Sequence, residues 1–201
     1  MDNLTTVDKV KEYLGITDSN SDAVITALVS SVSQYISSYC GGRQFGSHDY
    51  VETYDTYSGR RKIFLRQIPV TAVTVVKYRS GTPSSPVWNT YNADSYLTYL
   101  KPGYIHFYGP LPEVPQGLQV TYTAGYLIDF NNYDDINLHT LPKDLTMAAN
   151  EMIGNILNTR KAGGIASETT EGQTIQYDLK RAMTESVKNT LDNYKIIFIA
   201  S

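Results

Sequence analysis

The hydrophobic period of this chain changes twice, and that double change constrains its fold more than any single motif. Apolar residues recur at helical spacing up to about Tyr39, alternate in strand fashion from about Gly46 to Tyr126, and return to helical spacing from Leu141. A chain written in that order is expected to be an α+β protein. We expect a four-helix base, two N-terminal and two C-terminal helices, interrupted by an antiparallel β-sheet insertion. The corresponding parts are residues 1–45 and 129–194 for the two halves of the base, 46–128 for the insertion, and a C-terminal arm at 195–201. At 201 residues the chain can bury a sizeable core without a disulfide or metal staple.

Thr5 or Thr6 can cap a first helix with Asp8 in its first turn. Leu4, Val7, Val10 and Leu14 then recur at helical spacing until Gly15 stops it. A second helix carries Ile25, Leu28, Val29, Val32, Ile36 and Tyr39 on one stripe and ends at Gly41-Gly42. The third starts at Leu141-Pro142-Lys143-Asp144, buries Leu145, Ala148, Ala149, Met152, Ile153, Ile156 and Leu157, and closes at Gly163-Gly164. After a polar loop, Ser167 to Thr174, one last helix aligns Leu179, Met183, Val187, Leu191 and Tyr194. Each pair leaves an apolar stripe uncovered, and packing one pair on the other would satisfy both.

Between them, β-branched and aromatic residues alternate among Gly, Pro and Asp turns. Strands are expected at Tyr50 to Tyr54, Lys62 to Leu65, Val70 to Tyr78, Tyr96 to Tyr99, Tyr104 to Tyr108 and Leu118 to Thr123. No crossover helix separates them, so antiparallel pairing is expected.

Charged residues are only 18% of the chain and the formal net charge is −3, which argues against a protein that works by neutralising phosphates. Its polarity lies instead in Ser, Thr, Asn and 17 tyrosines, a surface suited to wet protein contacts. Cys40 cannot pair within the chain and falls on a helix's apolar face, as a buried thiol in a reducing cytoplasm would. The N-terminus lacks the pattern of a secretory signal, and no apolar run approaches membrane-spanning length. Synthesis and folding in the cytoplasm, with no membrane partner, is the expectation.

No catalytic, cofactor-binding or metal-binding residues are assigned. His48, His106 and His139 lack ligand spacing, and strand alternation turns His106 away from the side of Ile105. No nucleophile elbow or phosphate loop occurs, and Gly41-Gly42 and Gly163-Gly164 read as helix stops. The stretch Asp129 to Asp135 does not match a calcium loop and reads as solvated. Two features remain. Arg60, Arg61, Lys62 and Arg66 gather about a predicted hairpin, either as a charged turn that protects a sheet edge or as a ring or channel contact with DNA or an acidic neighbour. Ile196-Ile197-Phe198-Ile199 either folds back on the core or finds a partner, because leaving such side chains in water forfeits about 1.5 to 3 kcal/mol each. With a partner, an extended apolar tail would add a strand to a neighbouring chain.

Several stretches resemble the head-tail connectors of tailed phages, in the longer adaptor type with a β insertion. They are Leu4 to Ile16 with Asp22 and the second helix, Arg43-Gln44-Phe45, Leu65 to Val73, Val120 to Tyr126, and Leu141-Pro142-Lys143-Asp144-Leu145. The likeness runs in order over nearly the whole chain, with Ser80 to Asn92 and the loop near Asp129 longer than the usual pattern. It implies a non-enzymatic ring, commonly twelve-fold, beneath the portal in the virion neck at the capsid vertex. The implied partners are the portal protein, neighbouring copies of itself, the next neck or tail-completion protein, and DNA only as passing cargo. It also implies portal contact through the arm, Lys195, Ile196, Ile197, Phe198 and Ile199. The alternative is a Tyr-rich carbohydrate-binding module of a phage tail or cell-surface protein, which would use the sheet and leave the helices idle.

Overall fold

The computed structural model describes residues 2–82, 84–162 and 179–196. The Gly163-Gly164 stop, the polar loop Ser167 to Thr174 and Ile197 to Ile199 lie outside the described residues. The fold is α+β, and the chain divides into two compact units: a helical one from residues 1–45 together with those from 128 onward, and a strand unit from 46–127.

In the helical unit, α1 (Val7–Leu14) is capped by Thr6, whose hydroxyl accepts the Lys9 N–H. It stops at Gly15 in the left-handed conformation, where the Gly15 and Ile16 N–H groups close on the Glu12 and Lys11 carbonyls. Next come α2 (Asp22–Tyr39) and α3 (Lys143–Ala162), and α3 packs against α1, α2 and the helix at Glu185–Asp192. Thus helices from before and after the strand region share one core. Its centre holds Ile25, Leu28, Val32, Ile36, Leu145, Met152, Ile153 and Leu191, all fully buried. Buried polar groups tie the helices together. Thr5 Oγ1 donates to Asn150 Oδ1 at 2.6 Å, and the Leu4 N–H donates to Ser33 Oγ at 2.9 Å.

The single last helix expected from the Leu179 to Tyr194 stripe is in fact two: α4 (Leu179–Ala182) and α5 (Glu185–Asp192). Thr184 makes the break. Its hydroxyl caps α5 by accepting the Val187 N–H at 3.2 Å while donating to Glu151 Oε1 at 2.7 Å, an anchor on α3.

The strand unit has two antiparallel sheets. One orders β1 (His48–Thr56), β7 (Val114–Ala124), β3 (Val70–Thr82) and β4 (Ser85–Thr90) as β1-β7-β3-β4. The other orders β2 (Lys62–Phe64), β6 (Tyr104–Phe107) and β5 (Tyr96–Tyr99) as β2-β6-β5. Strand β4 was not among the expected strands. Its Ser-Pro-rich sequence reads as loop, and it is accommodated because β4 is an edge, where a proline without an N–H costs no ladder bond on the open side. Both sheets contribute to one core, with Val76, Leu118, Val120 and Tyr122 from the first meeting Ile63, Ile105 and Phe107 from the second. The β7 strand leads into Gly125, whose φ is +111°. A Cβ there would lie 2.0 Å from the Gly46 carbonyl oxygen, so only glycine lets the entering and leaving segments touch. No described helix is long and apolar enough to cross a membrane.

Candidate assembly surfaces

The segment leaving α5 is steered by a cluster at the end of α2. The last carbonyls of a helix have no partner within it, and here the Cys40 carbonyl accepts the N–H of Ile196 at 3.1 Å. Gly41 (φ +81°) ends α2 and also makes room, since a Cβ on it would stand 3.2 Å from the Ile196 oxygen. The helix stop inferred from Gly41-Gly42 therefore has a second role, as the seat of the departing chain.

Arg43, only 4% exposed, holds that chain from beside. Its Nη1 donates to the Tyr194 carbonyl at 2.9 Å, and its guanidinium lies 5.2 Å from the Phe45 ring and 5.6 Å from that of Tyr194. A planar cation beside two aromatic rings, hydrogen-bonded to backbone, is a satisfied buried charge. Tyr194 is pinned in turn by its hydroxyl, 2.8 Å from both carboxylate oxygens of Asp144 on α3. Lys195 pairs with Asp192 at 2.7 Å and lies 4.1 Å above the Tyr39 ring, while the Tyr39 hydroxyl donates to the same Asp192. Those two hydrogen bonds hold the Asp192 carboxyl below the usual range, and the Lys195 ammonium is raised by its side of the pair. Cys40 is fully buried beneath this cluster, and desolvation lifts its thiol to about 11, so it carries no thiolate at neutral pH.

Of the five arm residues singled out in the sequence, Lys195 and Ile196 are thus fixed by contacts within the helical unit, and Ile197, Phe198 and Ile199 lie outside the described residues. Arg43 was not singled out for this role. Its one sequence signal was membership of the Arg43-Gln44-Phe45 triplet just after a glycine helix stop.

The basic residues of the strand unit are spread over tyrosine rings. Arg60 lies 5.1 Å from Tyr57, Lys62 5.1 Å from Tyr104, and Arg66 5.0 Å from Tyr54 while also reaching the Thr53 carbonyl at 3.4 Å. Arg61 is exposed, and its carbonyl accepts the Phe107 N–H. Tyr54 itself is buried, donates to Glu52, and has its phenol raised chiefly by burial.

The three-stranded sheet has one face in the core and one in water. Ile63, Ile105 and Phe107 point inward, and His106 is half-buried on the other face, as alternation predicts. Register places Lys62, His106 and Leu97 in one outward row and Phe64, Tyr104 and Tyr99 in the next. That second row is an aromatic ladder. Ring centroids are 5.5 Å apart for Phe64 and Tyr104, and 4.5 Å for stacked Tyr104 and Tyr99.

The loop after Ile128 is more ordered in its bonding than its polar sequence suggested. Asp129 Oδ1 accepts the Asn131 N–H and Oδ2 accepts Asn132 Nδ2, while His139 Nδ1 accepts the Asp129 N–H at 3.1 Å. His139 is buried against Phe130 and Tyr133, and that desolvation pushes its imidazole below the ordinary value. Among the described residues no group of His, Cys, Asp and Glu could hold a metal ion.

The profile of the head completion protein family matches residues 3–197. No curated protein matches the chain by sequence. Among solved structures, a chain from the neck of an empty gene transfer agent particle computed with C6 symmetry aligns with a TM-score of 0.57 at 14% identity, covering 97% of this chain and 91% of that chain. A chain from the virion of a native gene transfer agent particle gives 0.57 at 14% identity, covering 100% of this chain and 97% of that one. Another, from the native particle's neck computed with C12 symmetry, gives 0.53 at 14%, with the same coverage. At that identity the likeness is one of fold.

Proposed function

We propose that this chain, which belongs to the head completion protein family, is the structural head-tail connector (adaptor) of a tailed-phage neck. Copies form a ring below the portal, extend the DNA channel, and offer a platform to the next neck or tail-completion protein. The observation that carries this reading is that one family profile covers residues 3–197, taking in both units and the departing C-terminal segment together. The neck and virion origin of chains with the same fold agrees with it. A net charge of −3 suits a channel wall along which DNA slides without sticking. The carbohydrate-binding alternative is not favoured, since it leaves the helical unit without a role.

In this reading Lys195 to Ile199 form the portal contact. The bond from Ile196 to Cys40, the Arg43 clamp and the Asp192–Lys195 pair fix the backbone as far as Ile196, which lowers the ordering cost of docking. Arg60, Arg61, Lys62 and Arg66 are candidate ring or channel contacts. Deleting residues 197–201 tests the arm. The truncated chain should keep its circular dichroism spectrum and melting temperature yet fail to join portal-bearing capsids, and full occupancy of those capsids would refute the arm assignment.

A further inference from the structure

Two exposed apolar patches are left unused by that function, and their charges are opposite. The outward face of the β2-β6-β5 sheet exposes Phe64 (60%), Leu97 (46%) and Tyr99 (39%) around the Tyr104 ring, with Lys62 above that ring. The segments that build this sheet and its turns, residues 57–66 and 96–108, carry Arg60, Arg61, Lys62, Arg66 and Lys101 and no carboxylate. The second patch is the loop 129–138, which exposes Ile136 (80%) and Leu138 (46%). It carries Asp129, Asp134 and Asp135 and no Lys or Arg of its own, and Lys143 from α3 pairs with Asp134.

The loop is held in shape for contact. Asp135 Oδ1 accepts the Asn137 N–H at 2.9 Å, and the His139 N–H closes on the Asp135 carbonyl at 2.7 Å, so Ile136 sits at the tip of a hydrogen-bonded turn. A large aliphatic side chain presented that way to water is poorly explained by the fold of one copy. An aromatic ladder edged by cations is its chemical complement.

We propose that loop 129–138 of one copy seats on the aromatic face of the β2-β6-β5 sheet of a second copy, with Ile136 against Phe64 and Asp135 toward the Arg60–Lys62 turn. A ring of identical subunits needs two different, mutually complementary patches on each one, because a head-to-tail contact repeats around the circle. These two differ in shape and in sign of charge, as that geometry requires. The proposal rests on the neck-ring reading. A stacked-base ligand would use the same aromatic face but gives Ile136 and the acidic loop no task.

The test uses particles that carry the full chain with both Phe64→Cys and Ile136→Cys; Cys40 is fully buried and does not compete. After reaction with a short bismaleimide, a denaturing gel should show a ladder at multiples of the chain mass. Either cysteine alone, or Val87→Cys on the other sheet paired with Ile136→Cys, should give no ladder. Chain present in the necks at normal occupancy, with a double variant no more cross-linked than these controls, overturns the docking and leaves the neck assignment standing. Absence of the chain from purified particles sinks the neck assignment and the docking with it. Single-stranded oligonucleotide binding that Phe64→Ala abolishes, without any ladder, overturns the docking in favour of a nucleic-acid face.

Discussion

The helical and strand units solve the same burial problem in opposite ways. In the helical unit the apolar stripes of α1, α2, α3 and α5 are turned inward, and its buried polar side chains Thr5, Asn150, Ser33 and Arg43 have partners that join residues far apart in the chain. In the strand unit Val51, Phe64, Val87, Leu97, Tyr99 and Tyr108 stay in water on the outer faces of two thin sheets. Outside the loop that exposes Ile136 and Leu138, the first arrangement spends its specificity on holding one chain together. The second keeps large apolar and aromatic surface available, which in a neck subunit is surface for other chains.

The largest expected effect that separates the two comes from Gly125→Ala. The added Cβ would meet the Gly46 backbone, which has no flexible end to move aside, and a positive φ is imposed on alanine. A loss of about 3 kcal/mol is expected, at the top of the range for single substitutions. Hydrogen exchange should show β1, β7 and β3 amides losing protection well before those of α2 and α3. Equal loss in both sets would mean that the two units unfold as one.

Arg43→Ala is the counterpart in the helical unit. It removes a charged donor from the Tyr194 carbonyl and the cation beside two rings, for an expected cost of roughly 2 kcal/mol. Chemical denaturation should report that loss, and exchange of the Ile196 amide should rise more than that of amides in the middle of α2. Unchanged Ile196 protection would show that the clamp does not guide the departing segment.

The smallest effect is a slope with pH. His139 Nδ1 accepts a hydrogen bond from the Asp129 N–H, so the folded state holds the imidazole neutral with its proton on Nε2, which is buried and has no hydrogen-bond partner among the described residues. Protonation would set Nδ1–H against that donor. Asp129 and Asp134 favour the charged form, Lys143 opposes it, and burial outweighs them, lowering the folded value. The unfolded chain, titrating near 6.5, therefore binds more protons below that pH, so this contribution is complete above 6.5 and is lost as pH falls below it. Asp129, Asp134 and Asp192, whose folded values are lowered, lose their contributions only in a more acid window, as pH falls below 3.8. Melting temperatures should decline from pH 6.5 downward, and His139→Gln should remove the upper part of that decline. An unaltered profile in the variant would show that some other group sets it.

The helical unit was the more legible in sequence because its information is local. Thr6, Gly15, Gly41 and the stripes of α2 and α3 all sit where periodicity and capping chemistry put them. The break at Thr184 escaped, because Met183, Val187 and Leu191 keep helical spacing straight across it and only the tertiary bond to Glu151 makes the cap worth forming. In the strand unit the alternation located most strands, but neither the register nor the edge strand β4 could be read. The Phe64, Tyr104 and Tyr99 ladder exists only once three segments are aligned. The candidate surfaces divide the same way. An apolar tetrad such as Ile196 to Ile199 announces itself, whereas Arg43 acquires its meaning from a carbonyl 151 residues away.

A density map of intact particles, resolved at the capsid vertex, bears most directly on the connector assignment. A ring of this chain is expected beneath the portal, with both units visible in each copy and the residues following Ile196 lying against portal surface. A neck built entirely of other polypeptides would contradict it.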